Sequence, residues 1–154
     1  MGEGSERDCI MKPKYCLAKM SAGYVGQEYD LGQMDCFLLV YKYLQERGFC
    51  KQAEFRGWTT ENYANRFVSD PEKAKEIMIE YVGIQLPSIH INRSVPGDIL
   101  LLQLKKSNTA PFLAIDGGNA NFICATEDQG VAVLPMKFYN TLMAWTCQHQ
   151  LYPE

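Results

Sequence analysis

YVGQEYDLGQMDCFLLVYKYLQERG, residues 24–48, opens as a loop punctuated by Gly32 and closes as a helix. Asp35 precedes a run in which Phe37, Val40, Tyr41 and Leu44 recur at helical spacing. Arg47 falls in the last turn and Gly48 ends it. Leu38 and Leu39 widen the apolar face, so the spacing predicts a central helix buried on most sides. Cys36 then stands in the first turn of that helix, directly after the loop that holds Tyr29. A helix N-terminus carries a partial positive charge and free N–H groups. Both favour thiolate over thiol, and the same N–H groups suit an oxyanion. A cysteine in such a helix also fits as a small buried apolar residue.

Outward from this helix the chain divides clearly. Residues 1–15 read as an arm, polar at first and broken by Pro13, expected to order against a partner. Residues 16–154 read as one domain. Within it, residues 16–26 look helical and stop at Gly26. A second helix is expected from Thr59 or Thr60, with Glu61 in its first turn. A third is expected from Asp70-Pro71 to Gly83, aspartate as cap and proline at the first helical position. Residues 50–94 thus form a mainly helical insert. Beyond Ser94, Pro96-Gly97-Asp98 makes a turn, and strands are expected at 99–104, 111–116, 120–125, 130–135 and 142–150. Gly117-Gly118 joins the second and third as a hairpin, and a helical turn is expected around Phe138-Tyr139. Helices followed by an antiparallel meander make the fold class α+β.

Composition removes several functions. With 15 basic against 18 acidic residues among 154 and no dense basic run, phosphate neutralisation by clustered Lys and Arg is excluded, and nucleic acid with it. Lys105-Lys106 ends a strand instead. No apolar run approaches the roughly 18 residues that span a bilayer. The polar, acidic start of the chain lacks the basic-then-apolar order of a signal peptide, which predicts synthesis in a cytoplasm. The six cysteines, Cys9, Cys16, Cys36, Cys50, Cys124 and Cys147, are irregularly spaced and contain no C-x-x-C pair. They read neither as a disulfide framework nor as a metal site, and no cofactor is implied.

Residues 24–40 resemble the motif of the NlpC-type papain-like cysteine peptidases, in which an aromatic, a glycine and a tyrosine lead through a glycine loop to Asp-Cys and a helix. PGDILLLQLKKSNTAPFLAIDGGNANFICA, residues 96–125, resembles that family's barrel strands, the first opened by Pro96-Gly97-Asp98. The likeness runs from Tyr24 to about Ala125. The helical insert, the polar pause before the second strand and the chain length look most like the variant found in the tail tips of tailed phages. The resemblance implies thiolate attack on a peptide carbonyl, assisted by a histidine that a third polar residue orients.

Carried over residue by residue, Cys36 falls on the nucleophile and Tyr29 on the tyrosine that borders it. A gap-free hairpin alignment puts Phe112 on the histidine and Cys124 on the orienting residue, and Leu38 replaces a small residue after the nucleophile. Phenylalanine cannot accept a proton, and loss of a general base removes a factor of roughly 10² to 10⁴ in rate. The chain has two histidines. His90 is the candidate substitute base if its segment folds back over the site, while His149 lies near the end of the last expected strand. The register predicts Phe112 on the strand face toward Cys36, sharing it with Ala114 and Asp116. It places Cys124 beside Phe112, on the Cys36 side of the sheet.

Three functions follow from the resemblance. One is a catalytically degenerate structural component of a phage tail tip or baseplate, partnered by other tail subunits in the virion, with residual binding of cell-wall peptide. Another is an active cysteine peptidase or amidase acting on cell-wall peptides during phage entry with a non-standard base. A third is a redox or metal role for Cys36 with Cys124.

Overall fold

Asp35 starts the central helix, α1, which spans Cys36–Glu46. Its carboxylate accepts the Leu38 N–H at 2.9 Å, satisfying one of the donors that every helix N-terminus leaves free. Leu38, Leu39, Val40, Tyr43 and Leu44 are buried along the helix, each large apolar side chain contributing about 1.5–3 kcal/mol on burial. The helix ends at Arg47 and Gly48, whose φ of 82° suits a residue without Cβ. The computed structural model describes residues 24–31, 34–48, 54–55, 57–59 and 61–147. The expected arm at 1–15, most of the helical look at 16–26, Gly32, Thr60, His149, Cys9, Cys16 and Cys50 lie outside the described residues.

The insert contains more than helix. Strands β1 (Glu54–Phe55) and β2 (Trp58–Thr59) pair antiparallel. Helix α2 covers Tyr63–Ser69, a few residues later than expected. Thr59 and Asn62 explain the delay, because each side chain accepts the other's backbone N–H, at 3.2 and 2.9 Å, and holds a turn ahead of the helix. Helix α3 spans Pro71–Gln85, with the Asp70 carboxylate accepting the Lys73 N–H at 3.2 Å. It passes through Gly83 rather than stopping there. Glycine costs about 1 kcal/mol inside a helix, and the burial of Val82 and Leu86 on either side outweighs it.

Six strands form one antiparallel sheet in the order β3-β8-β4-β5-β6-β7. They are β3 (Ser88–Ile89), β4 (Ile99–Leu104), β5 (Phe112–Gly118), β6 (Asn121–Thr126), β7 (Gly130–Pro135) and β8 (Tyr139–Trp145). Strands β4 and β7 lie where the sequence puts them, and β5 and β6 begin one residue late. Strand β8 starts at Tyr139, directly after a 3₁₀ turn over Met136–Phe138, and returns beside β4 instead of extending the meander. The short edge strand β3 has no counterpart among the sequence expectations.

The α+β class is therefore correct. Alternation along β4 and β5 separates two apolar layers. Ile99, Leu101, Leu113 and Ile115 pack with the buried face of α1, whereas Leu100, Leu102 and Ala114 pack on the other face with Phe122, Cys124 and Ala144. Among the described residues no helix is long and apolar enough to cross a membrane.

The Pro96-Gly97-Asp98 turn pins helix to sheet. The Tyr43 hydroxyl donates to the Gly97 carbonyl at 2.9 Å, and Asp98 is 1% exposed beneath it. The Asp98 carboxylate accepts from the Val95 N–H at 2.9 Å, the Cys147 N–H at 3.0 Å and the Thr146 hydroxyl at 2.9 Å. One carboxylate thereby ties the entrance of β4 to the exit of β8.

Candidate functional site

The sheet parts where α1 begins. Strand β5 pairs with β4 from Phe112 to Ile115, but its ladder with β6 starts only at Ile115↔Ile123 and runs toward the hairpin. The first residues of β5 are thus bonded on one side, and the Leu113 N–H is free to hydrogen-bond the Cys36 sulfur instead. This arrangement brings the helix N-terminus against the strand start, as the sequence predicts for Cys36.

The electrostatics run against the expectation for that cysteine. Burial pushes the Cys36 thiol up to about 11, and the neighbouring Asp35 carboxylate adds to the shift. The N–H groups of Leu113, Phe37 and Cys36 itself pull toward thiolate and do not prevail. The helix-terminus argument named the right groups but omitted the desolvation of the sulfur. Asp35 is 2% exposed, with one oxygen taking the Leu38 N–H and the other the Tyr63 hydroxyl. Tyr29 packs against the same core, and its phenol is raised to about 12 by burial and then by the charges of Asp35 and Cys36. Tyr29 thus lies within electrostatic reach of the cysteine.

The other carried-over residues are placed differently. Phe112 borders the same cavity as Cys36, but its ring packs on Phe122 and Tyr139 at centroid distances of 5.9 and 5.7 Å, in the layer away from α1. The residue of β5 that shares the α1 face is Leu113, with Ile115, so the expected facing pattern of the hairpin is corrected. The physical reason is that Phe112 gains two aromatic neighbours on the far face. Cys124 lies in that far layer as well, 2% exposed and paired with Ala132 on β7, not on the Cys36 side as expected. Its thiol is raised to about 12, by burial first and by Cys36 second, so the two sulfurs are within electrostatic reach through the parted strands. Among the described residues no group of three or more His, Cys, Asp or Glu side chains is placed to hold a metal ion.

His90 does not fold back over Cys36. It is exposed, and its Nδ1 accepts the Asn92 N–H at 3.1 Å, capping the 3₁₀ turn Ile91–Arg93. It follows edge strand β3, which the sheet order sets three strand spacings from β5, a separation of about 14 Å.

What does surround Cys36 is a cavity of about 220 Å³. Helices α2 and α3 roof it with Phe67, Lys75, Met78 and Ile79, and Leu101 and Leu113 form its floor. The helical insert therefore lines one side of the cavity that Cys36 borders. Lys75 supplies the charge in this otherwise apolar lining. Its side chain is 24% exposed and stands 4.0 Å from Glu72, a surface carboxylate one helical turn away, a pairing worth little by itself. In the sequence Asp35 stands out only as the residue before the helix, and nothing there signals Tyr63 or Lys75, whose places at the site depend on how the insert folds back.

The model of the family described as Domain of unknown function (DUF6950) matches residues 12–147. The chain belongs to that family. The match takes in the cysteine loop, the helical insert and every strand described above, so the family unit is the whole domain and not one of its parts. Among curated proteins none matches the chain.

Proposed function

We propose that this member of the family is a catalytically silent domain of the NlpC-type papain-like fold, used as a structural component of a bacteriophage tail tip or baseplate. The observation that carries the silent reading is the setting of Cys36. Burial and the Asp35 carboxylate push its thiol up to about 11, so the protonated thiol dominates at pH 7. The lining around it is apolar apart from Lys75, which is a cation and accepts no proton while charged. The order of elements supports the fold assignment: a loop with Tyr29, an Asp-Cys helix start, a helical insert, then Pro96-Gly97-Asp98 opening the sheet. The tail assignment rests on the likeness of that layout to the tail-tip variant, and other tail subunits are its partners in this reading.

An active peptidase or amidase remains the alternative, and it requires a base: the carboxylate beside Cys36, that of Asp35, already accepts the Leu38 N–H and the Tyr63 hydroxyl. The purified chain is expected to release no peptide from peptidoglycan fragments above buffer over a day at pH 7. Particles of the phage that encodes it are expected to contain it when their protein is analysed by mass spectrometry. Hydrolysis that disappears in Cys36→Ala contradicts the silent reading. Absence of the chain from purified particles contradicts the structural one.

A further inference from the structure

The cavity above Cys36 is larger than core packing requires. Protein interiors leave few voids bigger than a water molecule, and an apolar cavity of about 150 Å³ already takes up benzene. Here about 220 Å³ is lined by α2, α3, β4, the start of β5 and Cys36 of α1, and is partly open to solvent. Phe67, Met78, Ile79, Leu101 and Leu113 offer it no hydrogen-bonding side chain, so water inside would lack partners. Lys75 is the exception. Its partial exposure sets the ammonium where the cavity meets solvent, and Glu72, at 4.0 Å and 88% exposed, leaves it most of its donors.

We infer that this cavity binds an amphipathic carboxylate of about six to ten carbons, its apolar chain inside against Met78 and Leu101 and its carboxylate at the mouth on Lys75. Charge complementarity selects the anion, because Lys75 is the charged residue of the lining. Burial of the chain supplies the larger share of affinity, as in apolar pockets generally, while the single ion pair fixes orientation. The inference goes beyond the scaffold reading and does not depend on it, since binding of this kind requires neither a thiolate nor a tail.

Calorimetric titration of the full chain with octanoate and with 1-octanol tests it. Octanoate is expected to bind at one site and to shift the 13C-labelled methyl resonance of Met78, assigned with Met78→Leu. Lys75→Met is expected to weaken octanoate about tenfold, the loss of one charge-assisted hydrogen bond, and to leave octanol unchanged. Ile79→Trp, which fills the space from its rim, is expected to abolish both. The inference is overturned if octanoate does not bind or leaves Met78 unmoved. It is equally overturned if Lys75→Met weakens octanol as much as octanoate, or if wild-type protein binds octanol as tightly as the acid. The Met78 resonance decides the location in unaltered protein, so a variant that fails to fold does not leave the question open.

Discussion

Asp98→Ala is expected to lower stability by about 3 kcal/mol. The substitution removes three acceptor contacts, and each hydrogen bond to a charged group is worth about 1.5–3 kcal/mol before the relief of desolvation is subtracted. The Cys147 N–H is left without its carboxylate acceptor inside the core, and Thr146 loses the bond that fastens the end of β8 to the turn. In a domain of this size such a loss lowers Tm by about 10 °C, measurable by far-UV circular dichroism. Asp98→Asn is expected to cost less than Asp98→Ala, because one amide oxygen retains the Thr146 and Cys147 contacts while its NH₂ faces the Val95 N–H.

The pH dependence has a definite sign. Burial, reinforced by Asp116, raises the folded-state Asp98 above the ordinary 3.8 of an aspartate. The folded protein therefore holds the carboxyl proton more tightly than the unfolded chain does. The stability linked to it is full below about 3.8 and is lost as pH rises through the raised folded value. A wild-type protein that instead loses this contribution on acidification would show that the three hydrogen bonds outweigh burial.

Gly130→Ala is expected to be comparably damaging, by about 3 kcal/mol. Gly130 has a φ of 71°, and a Cβ there would overlap the Gln27 carbonyl oxygen and press on the Glu28 Cα at 3.3 Å. A non-glycine residue in this region costs about 1–3 kcal/mol in the backbone alone, and overpacking adds a similar amount. The consequence reaches the site. The Gly26 N–H donates to the Val131 carbonyl at 2.8 Å and the Val131 N–H to Gln27 at 2.9 Å. These bonds anchor the segment that leads through Tyr29 to Cys36. Urea denaturation is expected to show the loss of stability, together with faster hydrogen exchange at the Val131 amide. A variant as stable as wild type would mean that residues 26–28 do not lie against β7.

The sequence revealed those parts of the fold that depend on local chemistry. The apolar run of α1, the Asp70-Pro71 start of α3 and the turn at Pro96-Gly97-Asp98 are each written within a few residues, and each is where the chain puts it. Features set by distant partners were not legible. Gly83 reads as a stop but lies inside α3 because Val82 and Leu86 are buried around it. Strand β8 joins β4, not β7, and nothing near residue 139 announces that choice.

The site followed the same division. Cys36 at a helix start was legible, because the loop, the aspartate and the apolar run form one continuous stretch. The facing of Phe112 was not, since a hairpin's register fixes alternation but not which face meets the helix. Here the aromatic trio of Phe112, Phe122 and Tyr139 decides it. The raised Cys36 thiol was likewise hidden, because its largest cause is burial under elements that the local motif does not contain.

Cys36 is either an activated nucleophile or a desolvated thiol, and its ionisation tells the two apart. The 13Cβ chemical shift of Cys36, followed with pH in cysteine-labelled protein and assigned with Cys36→Ser, reports its ionisation without needing a reagent to reach the sulfur. The account predicts no titration of this resonance below pH 9, in keeping with a thiol pushed up to about 11. A midpoint at pH 8 or lower would contradict it, and would show that the N-terminus of α1 governs the sulfur after all.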